Sequence, residues 1–347
     1  MAKQQYINFI LNGMTFLRYF IPLTTEASNR GIKSRYFIHP TTKYNSPLRE
    51  ENYSILSEYS KIYNFEIFEA SEAKDFEGTF FMIEGCGIEF LGDQHEKLSI
   101  TYMTDFHALY PRYIDQVDKV IFPSEHIADY YERTGPKNLY LGSPKYDIEL
   151  LEDKILEKYN IPDPNNVLFV MPKAREGDTN ECWLTVQRMS QACRRLGLRA
   201  LYKTREKDRY LFPNGWAEQI CNFMYFEDES WHPHTTMELI KASKLVINFG
   251  STTIKECVML NTPVINFDIK PQKRHGRDFG KYRLGVSYLY DRDYCYNADM
   301  SIGVPAASIA MSELITNNWS DEFSETRKKY LFEGNSSERI LDYLEKS

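Results

Sequence analysis

The chain has 347 residues, long for one hydrophobic core, so two domains of ordinary size are expected. With 42% apolar and 26% charged residues it has the composition of a soluble globular protein, and a net charge of −7 argues against broad nucleic-acid binding. Its six cysteines show no CxxC spacing, which excludes the usual zinc patterns and reads as buried thiols in a reducing compartment.

The first 23 residues are partly apolar but are interrupted by Asn12, Gly13 and Arg18. No run reaches the roughly 18 apolar residues of a spanning helix. A cytoplasmic protein is expected, with peripheral contact at the inner face of a membrane left open. Ile7–Leu11 reads as a strand and about 15–30 as a helix. Arg35–Ile38 is a strand ending at His39, Tyr53–Tyr63 a helix, and Phe65–Phe68 a strand. Thr79–Ile83 and Leu98–Met103 are strands ending at Glu84 and Asp105. Lys119–Phe122 is a strand that turns into a helix over 125–133. An acidic helix and "NIPDPNN" over 150–165 read as a connection, after which the alternation restarts. Val167–Met171 is a strand, Cys182–Leu196 a helix, Arg199–Lys203 and Phe223–Phe226 strands. Thr235 and Glu238 form a capping-box pattern that opens a helix to about Ser243. The strand Leu245–Ile247 then leads through "NFGSTTIKEC" to a short helix and the strand Val264–Phe267. The expected fold is α/β, two doubly wound Rossmann-like domains facing a cleft. Residues 1–150 would form the first domain and 151–347 the second, with the last helix free to pack back on the first.

Three consecutive hydroxyls, Ser251, Thr252 and Thr253, follow Gly250 at a strand end and open a helix. An ordinary cap explains one of them. Three together, with free N–H groups and the positive end of a helix dipole, predict a phosphate. Glu256 lies about one turn further on, placed to accept two hydrogen bonds from a ribose. Lys173 and Arg175, and Lys203 and Arg205, follow two other strands of the same half, where they would converge on a diphosphate or stand as solvated charges.

The segment "ASKLVINFGSTTIKECVMLNTPVINFD" resembles the donor-nucleotide segment of GT-B glycosyltransferases, UDP-N-acetylglucosamine 2-epimerases and the glycerophosphotransferases of teichoic-acid synthesis. "LYLGSPKYD" (139–147) is similar to the GxPxxD segment of the same families. The resemblance implies phosphate binding at Ser251, Thr252 and Thr253, ribose binding at Glu256, and a turn at Thr262-Pro263-Val264-Ile265. It departs from the epimerases, whose "HRRE" run is here Lys173-Ala174-Arg175-Glu176. The second carboxylate of retaining transferases would fall near Asn248 or Phe249, and neither is acidic.

An inverting glycosyltransferase of surface-polysaccharide assembly is therefore expected. A CDP-glycerol-type polyol-phosphate transferase, a 2-epimerase and a noncatalytic nucleotide-sugar binder are the alternatives. The resemblance implies a nucleotide sugar as substrate, a glycan or lipid-linked acceptor, and neither a cofactor nor a metal. His232-x-His234 has no evident third ligand and reads as a loop lining the base or as helix entry. The segment 270–283, with six Lys and Arg against Asp278, would meet the diphosphate or an anionic acceptor, or stand as a solvated basic loop. The base would come from the strand ends of the first domain: Asp105 and His107 foremost, then Glu84 and His39. Asn12-Gly13-Met14-Thr15 would line the acceptor.

Overall fold

The computed structural model describes residues 6–40, 50–101, 113–130, 132–171, 180–203, 224–226, 230–267, 289, 292–331 and 334–346. The chain divides into two compact units, one of residues 1–148 and 328–347, the other of 149–327.

The first unit holds seven parallel strands: β1 (Tyr6–Leu11), β2 (Lys33–Ile38), β3 (Phe65–Glu69), β4 (Thr79–Ile83), β5 (Glu96–Ile100), β6 (Lys119–Phe122) and β7 (Asn138–Tyr140). Their order is β3-β2-β1-β4-β5-β6-β7. The chain winds one way from β1 and the other way from β4, so the sheet changes direction between those two strands. Helices α1 (Leu17–Asn29), α2 (Glu50–Tyr63) and α3 (Glu125–Tyr130) belong to it. The central strands are mostly apolar because both their faces are covered, and the buried Asn8 of β1 donates to the Glu77 and Thr79 carbonyls. One face is an aromatic cluster in which Phe9 lies 4.8 Å from Phe20 of α1, 5.0 Å from Tyr36 and 5.5 Å from Phe81. Phe37, Phe68, Phe76 and Phe80 fill the other face.

The second unit repeats the winding. Its strands are β8 (Asn166–Val170), β9 (Arg199–Lys203), β10 (Met224–Phe226), β11 (Leu245–Asn248), β12 (Val264–Phe267) and β13 (Cys295–Ala298), ordered β10-β9-β8-β11-β12-β13. Helices α4 (Glu152–Lys158), α5 (Asn180–Arg195), α6 (Thr235–Lys241), α7 (Ile254–Met259), α8 (Val304–Thr316) and α9 (Ser320–Thr326) follow in chain order. Val167, Phe169, Ile247 and Phe249 pack with Val186 and Met189 of α5 and Met311 of α8 in one core. Here the direction changes between β8 and β11.

After a π-helical turn, Arg327–Leu331, the chain rejoins the first unit, and α10 (Ser336–Lys346) buries Ile340 and Leu341 against α1. Two ties hold it. Arg30 at the end of α1 reaches Asp342 at 2.7 Å. Asp147, the acidic residue of the GSPKYD segment, accepts from the Ser336 N–H at 3.0 Å, the Ser337 N–H at 2.5 Å and the Ser337 hydroxyl at 2.6 Å. It thus satisfies amides that a helix start leaves open.

Two expectations are corrected. The strand expected over Leu98–Met103 begins at Glu96 and ends at Ile100. Its polar start is held by the Thr79 hydroxyl on Glu96 (2.6 Å) and by the Lys97 N–H on Asp118 (2.7 Å). The capping box does not form: His234 is the cap residue of α6, with no side-chain cap bond. The Thr235 hydroxyl instead accepts the Ser230 N–H, and Glu238 is taken by Lys158 (2.7 Å) and the Tyr159 hydroxyl (2.5 Å). A buried carboxylate offered an ammonium prefers it to a backbone amide of its own helix.

Candidate functional site

In doubly wound sheets a ligand sits beyond the carboxyl ends of the strands, where the strand order reverses. In the second unit that place is next to the end of β11. All four residues of β11 are buried. Gly250 follows with φ 60°, a left-handed turn that L side chains rarely adopt. The Asn248 side chain grips this turn, accepting the Ser251 N–H at 3.2 Å and donating to the Ser251 carbonyl at 3.1 Å. The three hydroxyls are not equivalent. Ser251 and Thr253 are buried and lie 3.0 Å from each other, oxygen to oxygen. Thr252 is the more exposed one. The six-residue α7 starts at Ile254, with Thr253 as its cap residue and no side-chain cap bond.

Glu256, the third residue of α7, is only 5% exposed, and its neighbour Lys255 only 7%. Charged side chains are seldom buried this deeply. Burial, with the Glu256 carboxylate adding to it, pushes the Cys257 thiol well up, so this cysteine is a packing group and not a nucleophile. On the far side of β8, Lys203 ends β9 and is 2% exposed. Lys173, Arg175 and Arg205 lie outside the described residues, as does the basic segment 270–283.

Sequence reasoning missed the asparagines that support this turn. Asn248, Asn266 and Asn297 are register partners across β11, β12 and β13. Their side chains therefore share a face. The Asn248 amide donates to Asn266 Oδ1 at 2.9 Å, and the Asn266 amide to Asn297 Oδ1 at 3.2 Å.

In the first unit the reversal lies between β1 and β4. Leu11 pairs with Ile38, and Ile83 with Ile100, at the strand ends. One residue beyond them stand Asn12, His39, Glu84 and Thr101, all polar and all buried. Glu84 has φ 51°, uncommon for a residue with a side chain. Its carboxylate accepts the Tyr113 hydroxyl at 3.0 Å. Gly85, also left-handed, follows with its N–H on the Ser99 hydroxyl at 3.0 Å. His39 Nε2 lies 3.2 Å from Glu89 Oε1 and its ring meets Phe90 edge-on. With the proton on Nε2 this is a carboxylate-oriented imidazole. Glu89 had no signal in the sequence, since it belongs to no strand end. Asp105 and His107 lie outside the described residues.

His232 and His234 serve the entry to α6: the His234 carbonyl accepts the Met237 N–H at 2.8 Å. Lost hydration pulls the His232 imidazole down to about 4. Among the described residues no group of three His, Cys, Asp or Glu is placed to hold a metal ion, and no helix is long and apolar enough to cross a membrane.

No protein-family model matches the chain, and no curated protein matches it in sequence. Solved structures do match over almost its whole length. A UDP-GlcNAc 2-epimerase from Neisseria meningitidis, bound to UDP-GlcNAc, has a TM-score of 0.63 at 11% identity, covering 99% of each chain. The wall teichoic acid polymerase TagF has a TM-score of 0.60 at 12% identity, over 99% of this chain and 88% of that one. MurG from Acinetobacter baumannii has a TM-score of 0.54 at 11% identity, over 99% of this chain and 100% of that one. The likeness establishes the fold. The chain is an α/β protein of two doubly wound units, and this is the GT-B fold shared by those epimerases and transferases.

Proposed function

We propose that the chain handles a nucleotide sugar, and that it is an inverting, metal-independent glycosyltransferase acting on a glycan or glycoconjugate acceptor in surface-polysaccharide assembly. The observation that carries this reading is the Gly250–Thr253 turn at the reversal of the second sheet, with the buried Glu256 in the helix behind it. The solved epimerase with its bound UDP-GlcNAc and the transferases of the same fold support it.

In this reading the turn and Lys203, with Lys173, Arg175 and Arg205, meet the donor diphosphate, and Glu256 accepts from the ribose. The acceptor oxygen attacks the anomeric carbon. The new C–O bond forms as the bond to the donor phosphate breaks, and the electron pair leaves with the nucleoside diphosphate. The fixed cations offset that growing charge. The acceptor proton passes to a base of the first unit, for which Glu84, His39, Asp105 and His107 are the candidates. The basic 270–283 segment suits an anionic, lipid-linked acceptor. The donor is a substrate, and no further cofactor is needed.

A 2-epimerase is the second reading, favoured by the number of such enzymes among the structural neighbours. Lys173, in place of the histidine those families carry, weighs against it. A polyol-phosphate transferase like TagF is the third. Incubation with UDP-, GDP- and CDP-linked substrates, with a glycan acceptor and EDTA, separates them. Nucleoside diphosphate released in EDTA supports the transferase. Nucleoside monophosphate release marks polyol-phosphate transfer, and conversion of the sugar within the intact nucleotide marks an epimerase. Binding without turnover marks a noncatalytic protein.

A further inference from the structure

The asparagine ladder points beyond the residues that would touch the donor. Two backbone amides fix its orientation, because an N–H can only donate. The Ser251 N–H requires the oxygen of Asn248 to face it, at 3.2 Å. The Gly250 N–H requires the oxygen of Asn266, at 3.3 Å. With both carboxamides set in this way, the Asn248 amide faces the Asn266 oxygen, and the Asn266 amide faces outward to Asn297. Asn248 is fully buried and Asn266 is 1% exposed, so water does not compete for these bonds.

We propose that Asn266 is the positioning residue of the Gly250–Thr253 turn. Asn266 Oδ1 takes the Gly250 N–H at the one residue of the turn with a left-handed φ. It also holds the Asn248 amide, and Asn248 holds both polar groups of the Ser251 peptide. A single side chain on the neighbouring strand thereby sets the path of the chain from the end of β11 into α7. Asn297 steadies the Asn266 carboxamide from the edge strand. That the turn so shaped is a nucleotide site rests on the function proposed above.

The test separates the clamp from that reading. Amide exchange is measured at Gly250 in the protein without nucleotide, and UDP binding is measured by calorimetry. In Asn266→Ala, Gly250 exchange should rise at least about tenfold while Ile247 in the strand stays protected, and UDP should bind at least about tenfold more weakly. Asn266→Asp keeps the accepting oxygen, so Gly250 should remain protected, and this variant serves if the alanine variant fails to fold. Unchanged exchange at Gly250 in Asn266→Ala, or lost protection in Asn266→Asp, overturns the clamp. Raised exchange with undiminished UDP affinity overturns its role in binding. If the unaltered protein binds none of UDP, GDP and CDP, the nucleotide reading falls together with the ligand half of this proposal, and the exchange result still decides the clamp.

Discussion

Glu84 is held in a left-handed backbone conformation, a state that costs about 1–2 kcal/mol for a residue with a side chain. Such a cost at the end of a central strand, on a buried carboxylate, fits a group placed for chemistry. Glu84→Gln keeps the shape and removes the base. Turnover should fall by roughly 10²–10⁴ with donor affinity unchanged. Glu256→Ala should do the reverse, weakening nucleotide binding by roughly ten- to a hundredfold through lost charge-assisted hydrogen bonds. Comparing turnover with calorimetric affinity in the two variants checks both; if Glu84→Gln turns over normally, the base is one of the other candidates, His39, Asp105 or His107. His232 supplies a pH test. Its imidazole titrates at about 4 when folded and near 6.5 when unfolded. Between those values the unfolded chain binds the extra proton, so stability falls as pH drops from 6.5 towards 4. Across that range the melting temperature of the native protein should fall more steeply with acid than that of His232→Phe, and parallel profiles would contradict it.

The elements were largely legible in the sequence, because buried parallel strands are mostly apolar runs bounded by turn residues. β1, β4, β6 and β12 fall within a residue of where periodicity places them. The Gly250–Thr253 turn was legible as well, as a cluster of hydroxyls after a glycine. Two kinds of information were not. One is competition for a side chain: Glu238 matches a capping box, yet Lys158, 80 residues away, takes it. The other is register. Asn248, Asn266 and Asn297 look like separate polar residues until three strands are aligned, and only then do they form a row. Asp147 belongs with them, since its partners lie almost 190 residues downstream. Burial lifts its carboxyl above the usual range, while the Ser336 and Ser337 donors pull the other way. Asp147→Ala should destabilise the first unit by about 2–3 kcal/mol, the scale of a lost cap with charge-assisted bonds. Asp147→Asn should cost less because it still accepts. Denaturant titration measures both, and equal losses would show that a neutral acceptor contributes nothing at this position.

At the scale of the whole molecule, the first unit is built from two distant stretches of chain and the second from one. Ile340 and Leu341 are fully buried, and Arg30 is tied to Asp342. A chain ending at Arg327 would leave the α1 surface beneath α10 uncovered. Its second unit should still unfold cooperatively, and its first should lose its own transition or aggregate. Calorimetry of the shortened chain tests this, and two undisturbed transitions would contradict it.

The same return of the chain orders events during synthesis. Chains emerge from the ribosome amino end first, at about 5–20 residues per second. The second unit is complete at Arg327, ahead of the helix that completes the first, although it is encoded second. The first unit is encoded first and must wait, since Asp147 and Arg30 meet their partners only when the final helix has been released. For that interval the apolar side of α1, which Ile340 and Leu341 later cover, stands open.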